Sequence, residues 1–482
     1  MINTLTVLLS IPLYWLAYSA QKKEKTAVAL LLILAGGLLL RIGVSTDPFL
    51  HFWDERYHAL VAKNLLNHPF VPTLYENPLL PFNYKNWAGN FVWLHKQPLP
   101  LWAIALSMKL FGVNEFAVRI PSILLSTATI YLTFRICINL FHSNKTALLA
   151  AFFCSINGLL LDITGGRVAT DHIDLFFLFF ITLSVFFATE YRLKRTLTTC
   201  VLIGTSIGLA ILCKWLTALI VIPIWLIIVF DRAHIRQIAI HLFVILLSAV
   251  LIFIPWEIYI FWKFPLEAQW ELSSYSSHLT DVQGNQTGNY YYFLVKCMIC
   301  FNELILLIVG WHICSLFHKK RNPSILALLV WFLIPLLFFS LAKTKMQAYL
   351  LFTAPALFIL TAVFVQDVYR ARVRNKAFLW LKYGLIILII ALPIRYAFER
   401  IKAFEGYDSD KVEQTKRIKA LTSTLYSDKT VLFNDPYYIE TMFYTSFISY
   451  ERKPSDADIS LLKAKGYVVC ILPDMPFKAA TE

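Results

Sequence analysis

The residues of this chain best suited to chemistry lie in one polar, aromatic-rich segment, Ser45 to Pro98. It holds an adjacent acid pair, Asp54-Glu55, bracketed by Phe49, Phe52, Trp53 and Tyr57, and it closes on His95-Lys96-Gln97-Pro98. Adjacent acids on a loop are commonly solvated charge. Among aromatic rings, which lower the local dielectric and can cover a sugar or a lipid, a carboxylate can instead act as general base toward an acceptor hydroxyl or amine. Asp54 is the expected base, and Glu55 the acid that orients the acceptor or holds a metal. Lys96 admits two readings. One is a long side chain snorkelling at an interface; the other is a cation that binds a phosphate and stabilises the leaving group as its charge develops. Pro98 and Pro100 stiffen the segment that aims it.

Further candidates lie later in the chain. Asp171 and Asp174 follow Gly165-Gly166-Arg167 and open an apolar run. They suit a helix N-terminus and equally a second acid lining the same cavity, with Arg167 placed to meet a phosphate. Lys343, Lys345 and Tyr349 sit where a short turn enters another run; headgroup anchoring and binding of an anionic lipid phosphate both fit. His278, with His95 and one acid, is a candidate divalent-metal site, against the plainer reading of a lone loop histidine.

The elements that must position these groups are membrane helices. Of 482 residues, 58% are hydrophobic and only 15% charged, where a soluble globular chain carries about 25% charged. Many apolar runs reach about 18–22 residues, enough to cross a hydrocarbon core of about 30 Å. Lipid offers the backbone no hydrogen bonds, so the spans must be helices or a closed barrel, and these runs are too long for barrel strands. The fold class expected is an all-α polytopic bundle of about twelve spans, near residues 4–20, 27–44, 116–141, 146–163, 175–190, 197–212, 216–230, 238–256, 291–317, 325–341, 348–365 and 378–396. Leu99–Phe111 is too short to span and reads as an interfacial helix. The first run lacks a basic leader and a cleavage site, and is expected to remain as a helix.

The net charge of +14 falls mostly in short loops, which encodes orientation; no basic stripe belongs to a nucleic-acid module. Most of the eight cysteines sit inside spans, and Cys297-x-x-Cys300 lacks a second pair at zinc-ribbon spacing. Five basic loops, at residues 21–25, 191–195, 231–236, 318–321 and 370–376, fall on one side under this count, which the positive-inside rule makes cytoplasmic. The segment 45–98, a second loop at 257–289, the Lys343 turn and the C-terminus then face outward. The expected domains are a transmembrane region, 1–398, and a small extracytoplasmic α/β module, 399–482, with strands at 430–433 and 466–472 and a helix at 412–424.

The motifs Trp53-Asp54-Glu55-Arg56-Tyr57, His95-Lys96-Gln97-Pro98-Leu99 and Phe111-Gly112-x-x-Glu115-Phe116-Ala117-x-Arg119-x-Pro121-Ser122 resemble the GT-C class of membrane glycosyltransferases. The branch is that of bacterial relatives of the dolichyl-phosphate-mannose protein mannosyltransferases, which includes the lipid A aminoarabinose transferases. Gly204-x-x-x-Gly208-Leu209-Ala210-x-Leu212-x-Lys214 and Ser340-x-x-Lys343-x-Lys345-x-x-x-Tyr349 are similar too. The family's Lys-Pro-Pro becomes Lys96-Gln97-Pro98, and the glutamate that often precedes the lysine is His95, which removes one metal ligand. The resemblance implies inverting transfer from a polyprenyl-phosphate sugar to an extracytoplasmic lipid-linked glycan, lipopolysaccharide or protein acceptor, at the plasma (inner) membrane. Asp54 would take the acceptor proton, Lys96 with Arg167, Lys343, Lys345 and Tyr349 would meet the donor phosphate, and Arg56, Tyr57, Asp171 and Asp174 would line the acceptor cavity. A transporter or flippase of a lipid-linked glycan is the alternative. It calls for mid-depth ionisable groups, broken helices and an internal repeat; no clear repeat is visible, and most charges cluster at span ends.

Overall fold

The computed structural model describes residues 2–168, 172–318, 322–401, 407–424 and 429–473. Asp171 lies outside the described residues, as do Lys319, Lys320 and Arg321 of the fourth basic loop. Internal contacts divide the chain into two units. The first is Met1–Thr46 with Arg119–Lys402, and the second is Asp47–Val118 with Ala403–Glu482.

The first unit is a bundle of apolar helices, and the chain is a multi-pass membrane protein. By length and composition, eight described helices can cross a membrane, or up to ten when each of two bent pairs counts as one span. The difference from twelve has identifiable causes. The helix Ile2–Lys22, expected as the first span, packs along Thr26–Val44 but is not among the eight. Residues Leu197–Val229 count as one stretch of 33 residues, yet they fold back on themselves. Arg195 and Asp231, at its two ends, form an ion pair at 3.7 Å, whereas an unbroken helix of that length would hold them about 50 Å apart. The reversal falls at Trp215, whose φ is +59°. The returning leg starts as a 3-10 helix, Trp215–Ile220, before Val221–Val229. The larger rise of about 2.0 Å per residue lets this short leg reach across most of the core. The two expected spans, 197–212 and 216–230, are therefore both present as the arms of a hairpin.

Gly204 and Gly208 seat the first arm. A Cβ at Gly204 would come within 2.2 Å of the Ile245 carbonyl, and one at Gly208 within 2.7 Å of the Ala249 carbonyl, so only glycine permits this approach to the helix Ile235–Lys263. Two spans are broken. Asn144–Ile156 and Gly158–Thr164 meet at 48°, and Tyr292–Cys300 and Ile305–Phe317 at 106°. Breaks free carbonyls that lipid cannot satisfy, and buried side chains take them up. Asn157 donates to the Cys300 carbonyl at 2.8 Å, and the fully buried Arg41 guanidinium to those of Ser155 and Cys154 at 3.0 and 3.3 Å. Asn302 likewise donates at 2.9 Å to the Ile389 carbonyl, which Pro393 inside the helix Lys376–Ile401 leaves without its N–H partner.

Polar contacts identify the two ends of this bundle. At one, Arg135 pairs with Glu190 at 3.1 Å, Arg195 with Asp231, and Arg192 donates to Ser324 at 3.1 Å. At the other, Lys214 pairs with Asp174, Arg400 with Asp162 at 2.9 Å, and Arg119 donates to the Ser45 carbonyl at 3.1 Å. Glu190 and Asp174 mark opposite ends of the helix His172–Leu193.

Two expectations are corrected. The second outer segment is not a loop from 257: the preceding helix runs to Lys263, and Pro265–Thr280 forms another. Pro265 stands at its first position, where a missing N–H costs nothing, and the following residues hold no glycine or proline to stop it. Likewise Asp54 and Glu55 are not on a loop but form the first turn of the helix Asp54–Leu65.

The second unit joins that helix and Pro98–Phe111, whose first turn carries Pro98 and Pro100, to the tail. The tail contributes the helices Tyr407–Thr424, Tyr438–Tyr444 and Asp456–Ala464 and three parallel strands, β1 (Thr430–Phe433), β2 (Ile448–Ser449) and β3 (Val468–Ile471), in the order β2-β1-β3. The tail does not pack alone. Ile439, Met442 and Phe443 share one core with Leu60, Trp93, Leu101 and Ile104, and Leu80 packs with Val431, Phe433 and Leu462.

Candidate active site

Asp54 is the first residue of its helix, where the N-terminal end of the helix dipole favours a carboxylate. Lys96 Nζ lies 3.4 Å from Asp54 Oδ2, with about a fifth of each side chain exposed (18% and 20%). Burial pushes the Asp54 carboxyl up, but the charges of Lys96, His58 and His95 outweigh it and bring its pKa from 3.8 down to about 2. Lys96 precedes Gln97 in extended conformation and the Pro98 helix start, so its backbone is fixed on the C-terminal side. The structure thus brings together the expected base and the expected phosphate cation. It also adds His58 and His95 to their electrostatic surroundings.

Glu55 faces inward. It is fully buried, and its Oε2 accepts the His51 N–H at 2.6 Å, which ties down the turn that leads into Asp54. Arg56 forks Glu440 through Nη1, at 3.3 and 3.1 Å from its two carboxylate oxygens, with Phe52 stacked 3.9 Å from the guanidinium carbon. The Tyr57 hydroxyl meets that of Tyr438 at 3.1 Å. These two residues, expected to line an acceptor cavity, are engaged with the tail. Sequence reasoning missed Glu440; its one signal is a lone acid in an otherwise apolar and aromatic stretch, Tyr437 to Tyr444.

In the membrane unit, Asp174 pairs with Lys214, whose ammonium lies 5.0 Å from the Tyr349 ring. Lys214 was legible only as the last residue of a glycine motif. Arg167 is half-buried and donates to the Arg400 carbonyl at 3.3 Å. Lys343 is exposed. Lys345 is 3% exposed, and its ammonium donates to the carbonyls of Phe339, Ser340 and Ala342 at 3.3, 2.7 and 2.7 Å. It caps the helix Pro323–Leu341 instead of standing open to a phosphate. Burial, and then the neighbouring Lys343, lower its pKa.

The residues present do not fit a metal. His95 stacks on Trp87 at 4.7 Å, and the His278 Nδ1–H donates to the Ser274 carbonyl at 2.9 Å. Among the described residues no three His, Cys, Asp or Glu side chains gather as ligands, so no step is derived through a metal.

Residues 95–259 match the family model described as dolichyl-phosphate-mannose-protein mannosyltransferase. The chain is 27% identical over 286 residues to the undecaprenyl phosphate-alpha-4-amino-4-deoxy-L-arabinose arabinosyl transferase of Serratia proteamaculans, covering 58% of this chain and 50% of that protein. It is 27% identical over 356 residues to an uncharacterized protein of Aquifex aeolicus, covering 72% of this chain and 65% of that one. The chain thus spans 65% of one relative's length and half of the other's. Its fold is similar to that of ArnT from Cupriavidus metallidurans bound to undecaprenyl phosphate, with a TM-score of 0.67 over 94% of this chain and 90% of that chain at 14% identity. The Archaeoglobus fulgidus oligosaccharyltransferase in the apo form gives 0.55 over 88% and 64% at 13% identity. Residues 95–259 are thus similar to the dolichyl-phosphate-mannose-protein mannosyltransferases, and the chain shares its fold with ArnT and the archaeal oligosaccharyltransferase.

Proposed function

We propose that this chain is an integral-membrane glycosyltransferase that moves a sugar from a polyprenyl-phosphate donor to an acceptor outside the cytoplasm, with inversion at the anomeric carbon. The observation that carries the reading is the Asp54–Lys96 pair, a carboxylate and an ammonium 3.4 Å apart at a helix start. The relatives named for undecaprenyl-phosphate-dependent arabinosyl transfer support it. In this reading the acceptor heteroatom attacks the anomeric carbon and its proton passes to Asp54. The bond from that carbon to the phosphate oxygen breaks, and polyprenyl phosphate leaves with Lys96 neutralising its growing charge. Arg167, Lys343 and Tyr349 are the proposed contacts of the membrane unit with the anionic donor, and Asp174 serves the acceptor side. The acceptor is a lipid-linked glycan, lipopolysaccharide or protein.

The same reading puts the chemistry on the extracytoplasmic face of the inner membrane. The basic loops at 191–195 and 231–236 belong to the Arg135 and Arg195 end of the bundle. The positive-inside rule makes that end cytoplasmic, and the segment 45–98 and the tail then face outward. The test supplies membranes containing wild type or Asp54→Asn with a panel of radiolabelled polyprenyl-phosphate sugars. Label should reach a lipid, glycan or protein fraction with wild type and fall at least about 100-fold with the variant. Equal transfer by both proteins rejects the assignment of Asp54, and transfer by neither rejects the transferase.

A further inference from the structure

Three residues of the Asp54 helix make polar contacts with one short helix of the tail, and the mechanism above uses none of them. We infer that the tail helix Tyr438–Tyr444 is a brace that positions Asp54, with Lys63, Tyr57 and Arg56 as its points of attachment. The inference rests on the transferase reading.

Arg56 and Lys63 are seven residues apart and share a helix face. At the far end, Lys63 Nζ donates to the carbonyls of Met442, Phe443 and Thr445 at 2.7, 2.9 and 3.0 Å. These lie at the C-terminal end of the tail helix, where carbonyls have no amide partner within the helix. At the near end, Arg56 forks the buried Glu440, whose side chain is 7% exposed. Between them the Tyr57 and Tyr438 hydroxyls meet, and Tyr438 also donates to the Ala88 carbonyl at 2.6 Å. That last bond ties in the strand of chain that leads to Lys96. Leu60 fills the interval against Ile439, Met442 and Phe443. A helix fixed at both ends of one face can neither slide nor roll. Asp54 stands only two residues before Arg56, so the brace sets where its carboxylate lies. A misplacement of about 1 Å at a reacting group costs about 100-fold in rate, which gives an otherwise unmotivated tail a role in catalysis. Lys63, Glu440 and Tyr438 are positioning residues, since they act through the helix.

The test uses the full chain in lipid nanodiscs, as wild type, Lys63→Met, Lys63→Arg, Glu440→Gln and Tyr438→Phe. Two readouts are taken: hydrogen exchange of residues 54–65, and steady-state transfer. In Lys63→Met and Glu440→Gln, exchange over 54–65 should quicken about ten-fold or more while the helices of the membrane unit keep their rates. The kcat should fall about 10- to 100-fold with donor KM within about two-fold. Lys63→Arg should restore both, since a guanidinium can reach the same carbonyls. Tyr438→Phe, which removes a single hydroxyl, should move both readouts the same way by less, and it keeps the inference testable if a harsher variant does not fold. Unchanged exchange over 54–65, exchange quickened evenly along the chain, or unchanged kcat beside quickened exchange would each overturn the brace. Absence of transfer by wild type with every donor would strike the transferase reading itself, while exchange over 54–65 still reports whether the tail holds the helix.

Discussion

Lys96 Nζ sits 3.4 Å from Asp54 Oδ2, so the proposed base and the proposed phosphate cation satisfy each other before any donor arrives. In this state Asp54, with a pKa of about 2, is a weak base. A donor phosphate on Lys96 would draw off that positive charge, and burial, which raises the carboxyl, would then weigh more. Basicity would rise only when the donor is in place.

Lys96→Met tests this exchange. Without the ammonium the Asp54 pKa moves up, so the carboxylate protonates at a higher pH. Residual kcat should fall by about 10²–10³, and the acid limb of kcat/KM, which reports the donor-free enzyme, should lie at higher pH than in wild type. The measurement is the pH profile of transfer from mildly acid to neutral. A limb at the same pH in both proteins contradicts the pairing. The sign for stability follows as well: the depressed Asp54 pKa contributes stability that is present above 3.8 and lost as pH falls through about 2.

Lys345→Ala should behave differently from Lys96→Met. Its ammonium serves three carbonyls at the end of one helix, so its removal leaves buried acceptors unsatisfied, at about 1–3 kcal/mol. Thermal stability in detergent should drop while donor KM changes little. A rise in donor KM with unchanged stability would restore Lys345 as a phosphate contact.

The bundle was legible in the sequence because lipid forces long apolar runs into helices, and the strands at 430–433 and 468–471 were legible as short β-branched runs. The candidate site was legible in part. Asp54 and Lys96 stand out as polar residues of opposite charge in a rigid, aromatic setting. What could not be read was which charges are already spent. Lys345 looked open because sequence does not show a helix end bending back over it, and Arg56 looked open because its partner, Glu440, lies in the distant tail. The apolar stretch 197–229 carries no hydropathic mark of its reversal; only Lys214 before Trp215 hints at a surface there.

Lys214 and Asp174 should behave as a buried ion pair, since only 17% and 4% of their side chains are exposed. Removing one partner leaves the other charge stranded, at about 3–5 kcal/mol, whereas replacing both by apolar groups costs far less. Lys214→Met and Asp174→Leu should therefore each lower the midpoint of thermal unfolding more than the double variant does. Additive losses would show that the two groups are solvated independently.

The hairpin at Trp215 can be checked by labelling from each side of the membrane. Cys314 and Cys470, the two thiols that are not buried, are first replaced by Ser, and one of Thr196→Cys, Leu216→Cys or Ala233→Cys is then introduced. If Arg195 and Asp231 pair as the structure has it, Thr196 and Ala233 lie at the same end of the bundle, and Leu216, 56% exposed, lies at the other. An impermeant maleimide should then label the Thr196→Cys and Ala233→Cys variants only in inverted vesicles and the Leu216→Cys variant only in right-side-out ones. The alternative, one unbroken helix of 33 residues, would place positions 196 and 233 on opposite sides. The outcome reaches beyond this loop. Losing one crossing reverses the side assigned to every later segment, and with it the face on which the C-terminal tail and its brace of the Asp54 helix must stand. Labelling of positions 196 and 233 from opposite sides would therefore reject the extracytoplasmic assignment along with the hairpin.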